Sequence, residues 1–366
     1  MIKVGIIGMG MIGRAHLDAL QRIPGVEVVA VASPNLEDLV KLQEGFGIRH
    51  VFADWRELVD CPDVEAVHNC TPNHLHHEIN LACISRGKVI FSEKPLGMDV
   101  QETSEAAAKA KTSSIACGVN FCYRAYPMVQ WAKQLIQEGY LGEIRAIYGH
   151  YLQDWLMYET DYDWRVDSKV GGFARAVGDI GSHWVDLARY LTGLEVEEVL
   201  ADTSIFWPQR IEPTSGQPVP VDTEDWATAL LRFNGGVKGN VVISQISGGH
   251  QNDLQIEIVG TKRTIRWRQE DPEILWIGER GGCNQIRYKD GSAMGAVAAK
   301  HASYPPGHPE GYPDCIKNTI ANFYSHVLGQ GGDFPTFEDG HRAMEVVEAI
   351  IQSAQTERWI RVGGGL

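Results

Sequence analysis

Basic residues never gather into a run in this chain of 366 residues, and the formal net charge is -14. Such a surface cannot neutralise a phosphate backbone, so nucleic acid is excluded as a partner. Cysteine is scarce and scattered. Cys61, Cys70, Cys83, Cys117, Cys122, Cys283 and Cys315 form no CxxC pair and no metal-ligand spacing, which reads as reduced thiols in a cytoplasmic protein. His74, His76 and His77 likewise lack partners at ligand spacing, so no metal is expected. The start, Met1 to Ile7, lacks the basic segment, apolar stretch and cleavage site of a signal peptide, and neither export nor a membrane anchor is expected. No GxSxG elbow is present to raise a serine nucleophile. Low-complexity tracts are missing too; with 44% hydrophobic and 22% charged residues the chain is globular, and its length suits two domains.

What is present begins with a β-branched run, Lys3 to Ile7, followed by Gly8-Met9-Gly10-Met11-Ile12-Gly13 and a helical pattern from Arg14 to Arg22. Strand and helix patterns then alternate: Val26 to Ala32, Leu36 to Phe46, Ala66 to Cys70, His77 to Arg86, Lys88 to Ser92, Val100 to Lys111 and Ile115 to Phe121. This α/β alternation predicts a doubly wound Rossmann domain over residues 1–122. After it, Pro127 to Glu138 predicts a helix and Ile144 to His150 a strand. The long alternating runs Asp225 to Phe233, Val237 to Ser247, Leu254 to Gly260 and Thr264 to Gln269 are separated by glycine turns. They predict a C-terminal α+β domain, residues 123–366, with a large, mostly antiparallel open sheet and helices at Asp179 to Leu191, Pro313 to Leu328 and Asp339 to Thr356. An open sheet face needs cover, which points to a homo-oligomer, dimer or tetramer, through that sheet.

Gly8, Gly10 and Gly13 have the spacing of a dinucleotide turn. Glycine lets the backbone turn tightly and approach a pyrophosphate, and the amides of Met11, Ile12 and Gly13 open the helix toward it. NAD enzymes place Asp or Glu at the end of the second strand; here stands Ala32-Ser33-Pro34-Asn35. Ser33 or Asn35 can hydrogen-bond a ribose hydroxyl, or a phosphate less strongly, so NAD is expected and NADP is left open.

Three further segments occur in order: Thr71-Pro72-Asn73-His74-Leu75-His76, Gly87-Lys88-Val89-Ile90-Phe91-Ser92-Glu93-Lys94-Pro95 and Gly178-Asp179-Ile180-Gly181-Ser182-His183. With them the chain resembles the Gfo/Idh/MocA oxidoreductases over nearly its whole length. Tyr151-Leu152-Gln153-Asp154-Trp155, Asp163-Trp164-Arg165 and His308-Pro309-Glu310-Gly311-Tyr312 resemble the sugar dehydrogenases of the levoglucosan and scyllo-inositol/L-glucose type in that family. The resemblance implies that Thr71, Pro72, Asn73 and His76 lie along the nicotinamide ribose and diphosphate, and that Glu93, Asn120, Trp164 and Arg165 also serve the cofactor. It further implies hydride transfer from a secondary hydroxyl, plausibly C3, of a sugar, glycoside or cyclitol.

The residues themselves support acid–base chemistry. Oxidising an alcohol needs a base for the hydroxyl proton, and histidine is tuned nearest neutrality, which singles out His183. Asp179, four residues earlier, shares its face if both lie on an α-helix and can orient the imidazole or bind a second hydroxyl. Lys94 follows a strand at the carboxyl edge of the sheet, where its ammonium can polarise the substrate oxygen. The bland alternatives are a loop lysine and a packed helix histidine with Asp179 as a cap, and Asp186 reads as a structural partner. Tyr123 and Arg124 are substrate contacts or structural plugs. Gln153, Asp154, His308 and Tyr312 offer the second domain's polar wall for a polyol. Two rivals remain: an enzyme that cleaves glycosides or transhydrogenates with a tightly bound, internally recycled NAD, and a non-catalytic nicotinamide or sugar sensor, against which Lys94, Asp179 and His183 together argue. The dehydrogenase reading requires those three side chains and the glycine turn to serve one nicotinamide.

Overall fold

A computed structural model describes residues 1–364. The chain forms two compact units, Met1–Cys122 with Tyr312–Arg342, and Tyr123–Gly311 with the segment from Ala343 onward. Residues 312–342, expected in the second domain, therefore pack with the first unit.

In the first unit the strands are β1 (Ile2–Ile7), β2 (Val26–Ala32), β3 (His50–Phe52), β4 (Ala66–Asn69), β5 (Val89–Ser92) and β6 (Cys117–Val119), and they form one sheet in the order β3-β2-β1-β4-β5-β6. All pairings are parallel. Helices α1 (Met11–Gln21), α2 (Leu36–Phe46), α3 (Trp55–Asp60), α4 (His76–Ser85) and α5 (Val100–Thr112) make the crossovers. Strand order reverses between β1 and β4, which opens a crevice at the carboxyl ends of these strands. β3 and α3 have no counterpart in the sequence reading. Three residues carry no periodic pattern, and β3 exists through its pairing with Ala30 to Ala32. Along the far edge Val119 N donates to Pro335 O at 2.9 Å, and Arg22 of α1 meets Asp314 of the helix Tyr312–Val327 at 2.5 Å.

The second unit is built on a nine-stranded sheet. Its strands are β7 (Ile144–Leu152), β8 (Val196–Ser204), β11 (Trp226–Phe233), β12 (Lys238–Ser244), β13 (Asp253–Gly260), β14 (Arg263–Arg268), β15 (Ile274–Glu279), β16 (Gln285–Tyr288) and β17 (Ile360–Arg361), while β9 (Gln209–Ile211) and β10 (Pro218–Pro220) pair as a separate hairpin. The order is β16-β15-β14-β13-β7-β12-β11-β8-β17. Only β7 and β12 run parallel; every other pairing in this sheet is antiparallel. Gly235 and Gly236 adopt φ of 70° and 80° in the turn joining β11 to β12, a conformation that glycine takes without strain. Among the described residues no helix is long and apolar enough to cross a membrane.

One contact fixes the helix Ser182–Thr192 on this sheet. Trp184 is fully buried and its indole N–H donates to Gln255 O of β13 at 3.0 Å. Room for the indole exists because β7 has a glycine there: a Cβ on Gly149 would lie 2.2 Å from Trp184 Nε1 and 2.1 Å from Gln255 O. Neither a backbone oxygen nor a fully buried ring can move aside cheaply, so Gly149→Ala should cost about 2 kcal/mol or more. Urea unfolding measures this; an unchanged midpoint would show that the helix does not depend on that gap.

Candidate active site

In the first unit the crevice is built from strand ends. β1 ends at Gly8, whose φ of 88° is the left-handed region, and a Cβ there would lie 2.5 Å from Cys70 O. A Cβ on Gly13 would lie 2.0 Å from Gly8 O, while one on Gly10 would meet nothing within 4 Å. Two glycines are thus forced by packing and the third faces open space. The start of α1 carries no side-chain cap and no acidic residue in its first turn. Open amides beside an open glycine fit a pyrophosphate. At the end of β2, Ser33 Oγ accepts from Asn35 N at 3.3 Å, and Asn35 O caps the start of α2 by accepting from Leu39 N.

β4 leads into Thr71, whose hydroxyl donates to Asn69 Oδ1 at 2.7 Å, and into a short turn at Asn73–Leu75. His76 is held by the protein on both sides of its ring. Its ring is 1% exposed, with Nδ1 2.6 Å from Pro95 O and Nε2 2.8 Å from Thr71 O. Both nitrogens face carbonyls of the protein, so His76 ties the turn after β4 to the turn after β5. Burial pushes its pKa down, opposed by those two contacts.

β5 delivers Glu93 and Lys94. Glu93 is 6% exposed; its Oε1 lies 2.9 Å from His16 Nε2 and accepts from Asn120 Nδ2 at 2.5 Å. Burial alone would raise this carboxyl, but His16, Asn120 and the Lys94 charge outweigh it and hold the pKa at about 2. An ionised carboxylate therefore underlies Lys94, whose amide donates to Glu93 Oε2 at 3.3 Å. His16 was not anticipated, because nothing local in α1 distinguishes it.

The second unit assembles its own group. Asp179 lies in a π-helical turn, Val177–Gly181, and not on the regular α-helix that the four-residue spacing to His183 assumed. The wider turn is pinned at its start by Glu224, which accepts from Arg175 N at 3.1 Å and Val177 N at 2.8 Å. Beside it Asp225 binds the guanidinium groups of Arg175 and Arg210, all three essentially buried. Burial would raise Asp225, yet the Arg175 charge holds it below the usual carboxylate range. Asp179 Oδ2 accepts from Gln245 Nε2 at 3.0 Å, and its Oδ1 lies 3.6 Å from Arg165 Nε. Gln245, fully buried at the end of β12, is a functional neighbour that no sequence signal marked. Trp164 and Arg165, assigned to the cofactor by resemblance, belong to this unit; the guanidinium stacks over the Trp164 ring at 4.3 Å and meets Asp163 at 3.0 Å.

His183 is 7% exposed and packs 4.6 Å from the Tyr123 ring. Tyr123 and Tyr151 share a hydrogen bond of 2.6 Å, Tyr151 Oη donates to Asn252 Oδ1 at 2.6 Å, and Asn252 Nδ2 donates to Tyr123 Oη at 3.1 Å. Gln153 Nε2 donates to the same Asn252 oxygen at 2.8 Å, and Trp155 Nε1 donates to Gln153 Oε1 at 2.7 Å. Asp154 accepts from Gly249 N at 3.0 Å. Tyr123 and Gln153 thus meet in one polar network through Tyr151 and Asn252, His183 packs against it on the Tyr123 ring, and Asp179 is held by its own partners.

Arg124 forms a two-pronged ion pair with Asp186, Nε to Oδ2 at 2.8 Å and Nη2 to Oδ1, so it is a structural plug whose guanidinium is taken up by that carboxylate. Asp186 is the structural partner its spacing suggested. Tyr312 opens the helix Tyr312–Val327 and belongs to the first unit. His308 lies exposed on a loop whose carbonyl accepts from Lys289 Nζ at 2.8 Å. Its Nδ1 lies 3.4 Å from Pro306 O of the same loop.

Comparison with known proteins was informative over both units. Residues 2–121 match the model of an oxidoreductase family with an NAD-binding Rossmann fold, and residues 129–266 match the GFO/IDH/MocA C-terminal domain. The chain is 31% identical to levoglucosan dehydrogenase of Pseudarthrobacter phenanthrenivorans over 99% of this chain and 98% of that protein. It is 30% identical to myo-inositol 2-dehydrogenase of Thermotoga maritima over 99% and 98% of the two chains. A solved complex of levoglucosan dehydrogenase with NADH and levoglucosan superposes with a TM-score of 0.92, at 31% identity and full coverage of both chains (100% each).

The depressed Glu93 pKa has a measurable consequence. A folded pKa below the ordinary 4.5 means that the stabilisation is whole above about pH 4.5 and is lost as pH falls toward about 2. At 1.36 kcal/mol per unit the shift amounts to ~3 kcal/mol. The stability difference between the wild type and Glu93→Gln should shrink by that amount across this window, as read by urea unfolding; a difference independent of pH would contradict the buried carboxylate.

Proposed function

The chain belongs to the Gfo/Idh/MocA family of NAD-binding oxidoreductases, and on that premise we propose that it oxidises a secondary hydroxyl, plausibly C3, of a sugar, glycoside or cyclitol. Bound NAD supplies the hydride acceptor. The chain's own residues handle the proton and the orientation. The glycine turn with the open start of α1 receives the diphosphate, Ser33 and Asn35 take the adenosine ribose, and Thr71, Pro72, Asn73, Glu93 and Asn120 line the nicotinamide end. Lys94 directs its ammonium at the reacting oxygen and lowers the pKa of the hydroxyl. His183 accepts the proton through its imidazole, and Asp179, steadied by Gln245 and Arg165, binds a neighbouring hydroxyl or balances the imidazolium. Tyr123, Gln153 and Asp154 supply the polar wall.

The observation that carries this reading is the anchoring of Asp179: a carboxylate held from two sides, four residues before a histidine packed against a tyrosine hydrogen-bond network. A sensor needs no such arrangement. Lys94→Ala and His183→Ala should each slow the chemical step by roughly 10²- to 10⁴-fold while cofactor binding persists. Wild type should release one reduced nicotinamide per product. Unchanged turnover in either variant removes that residue from the mechanism, and product without net reduced nicotinamide at steady state assigns the chain to enzymes that recycle NAD internally.

We also infer a cytoplasmic homo-oligomer that pairs through the open sheet face. All described cysteines are free thiols, as a reducing compartment requires. One transverse row of the sheet reads Leu200, Leu230, Asn240, Tyr148, Glu257, Arg266, Trp276 and Ile286 in strand register. Leu230, Tyr148 and Ile286 in it are 51%, 44% and 58% exposed, more apolar side chain than one row of a lone sheet leaves in water. A second copy laid on this face would cover all three at once. Light scattering should give a mass at least twice that of one chain, falling to the single-chain mass in Tyr148→Lys with Leu230→Lys; a monomeric wild type rules the face out.

A further inference from the structure

Beneath Glu93 lies a chain of titratable groups that the proposed chemistry leaves unused. His16 Nε2 meets Glu93 Oε1 at 2.9 Å, His16 Nδ1 meets His68 Nδ1 at 2.8 Å, and His68 Nε2 meets Tyr324 Oη at 3.0 Å. His16 and His68 are fully buried, Tyr324 is 1% exposed, and the chain passes from α1 through β4 to the helix Tyr312–Val327. Every gap holds a single proton. Two arrangements satisfy that condition with no bond left unmade. In the proton-poor one, His16 donates to Glu93, His68 donates to His16 and Tyr324 donates to His68. With one more proton the last two bonds reverse: His16 becomes an imidazolium donating to both Glu93 and His68, and His68 donates to Tyr324, whose own hydrogen turns away. Because each gap in the chain stays bridged by a hydrogen in both arrangements, a proton can be gained or lost without breaking the links between the imidazoles and Glu93.

The other groups facing the chain leave this exchange to the two imidazoles. The Cys70 thiol, 3.3 Å from His16 Nδ1, is pushed well up by burial and stays neutral. Asn120 is uncharged, the Phe91 ring packs on both histidines, and the Tyr324 hydroxyl is held neutral by burial. Burial drives His68 well down, and of the two imidazoles it is His16 that touches the Glu93 carboxylate, at 2.9 Å. The charges nearby are Glu93 itself and Lys94, with the buried His76 ring across the same turn.

We propose that the Glu93–His16–His68–Tyr324 chain makes the site discriminate the redox state of its nicotinamide through one exchangeable proton: the proton-poor form favours the cationic oxidised ring, the proton-rich form the neutral reduced ring. This rests on the reading that the nicotinamide end lies over Glu93 and Lys94. A cationic ring near Glu93 competes with the His16 imidazolium for that carboxylate, and a neutral ring leaves the imidazolium as its sole counter-charge. Affinity for NADH relative to NAD+ therefore falls as pH rises, which eases release of reduced cofactor in alkaline conditions.

Calorimetric titration of the whole protein with NAD+ and with NADH tests this, in two buffers of different ionisation heat from about pH 6 to about pH 9. NADH should take up more protons than NAD+, by up to one, and the affinity ratio should change by up to about tenfold per pH unit inside the window. His68→Leu should abolish the difference. Tyr324→Phe, the milder change, should move the window to lower pH, since the proton-rich form then leaves His68 Nε2–H without its acceptor. Equal proton counts for the two cofactors overturn the proposal, as does a difference that persists unaltered in both variants, which assigns the proton to Lys94 or another group. Failure to bind either cofactor instead removes the underlying reading of the site, and the proposal with it.

Discussion

A carboxylate withdrawn from water must be met by donors or it will not stay ionised, and Glu93 imposes that condition on the first unit. Its donors come from three places: His16 from α1, Asn120 from the end of β6, and the amide of Lys94. Meeting them fixes the helix after the glycine turn, the far strand and the lysine relative to one another. His68 and Tyr324 continue the same bonding through β4 to the helix Tyr312–Val327, which explains why a segment late in the sequence packs with the first unit. His76 adds a second tie on the near side of the crevice by joining the turns after β4 and β5.

The second unit solves a similar problem with the opposite sign in excess. Two arginines converge on Asp225, and Glu224 next to it receives backbone amides in place of a cation. Adjacent carboxylates thus hold different partners: one locks the loops around Arg210, the other caps the π-turn that carries Asp179. Arg210 reaches the carbonyls of Leu156, Tyr158 and Asp161, so the loop after Gln153 and Asp154 is tied to the same ion cluster. In each unit the candidate residues are held by buried charge, where removing one partner costs far more than the pair contributes.

This explains what could be read from the sequence. The glycine turn and the alternating strands announce themselves locally, through conformational demands or periodicity spanning a few residues, and β1, β2, β5, β11 and β13 form close to where those patterns lie; the segments around Lys94 and His183 stand out by their family resemblance. Groups defined by distant partners do not. His16 and Glu93 are 77 positions apart, His68 and Tyr324 256, and each looks like an ordinary helix or strand residue by itself. Arg124 was equally ambiguous until Asp186, 62 positions on, took up its guanidinium. Asp179 shows a subtler failure. Spacing of four implies one face only on a regular α-helix, and the π-turn that alters the phase depends on Glu224, which lies in a different segment of the chain.

Charge bears on the substrate in a way that neither unit's geometry alone would suggest. A chain of net charge -14 meets an anionic dinucleotide, and the attraction must be local. The uncapped start of α1 supplies it over a few ångströms, while the overall negative field is screened beyond about 8–10 Å at ordinary ionic strength. The second unit's cations near Asp179 and His183 are matched with carboxylates, Arg165 with Asp163 and Asp179, and Arg124 with Asp186. Around them stand hydroxyls and amides from Tyr123, Tyr151, Gln153, Gln245 and Asn252. A neutral polyol exchanges hydrogen bonds with water for hydrogen bonds with this wall at little electrostatic cost, which suits the sugar, glycoside or cyclitol proposed as substrate.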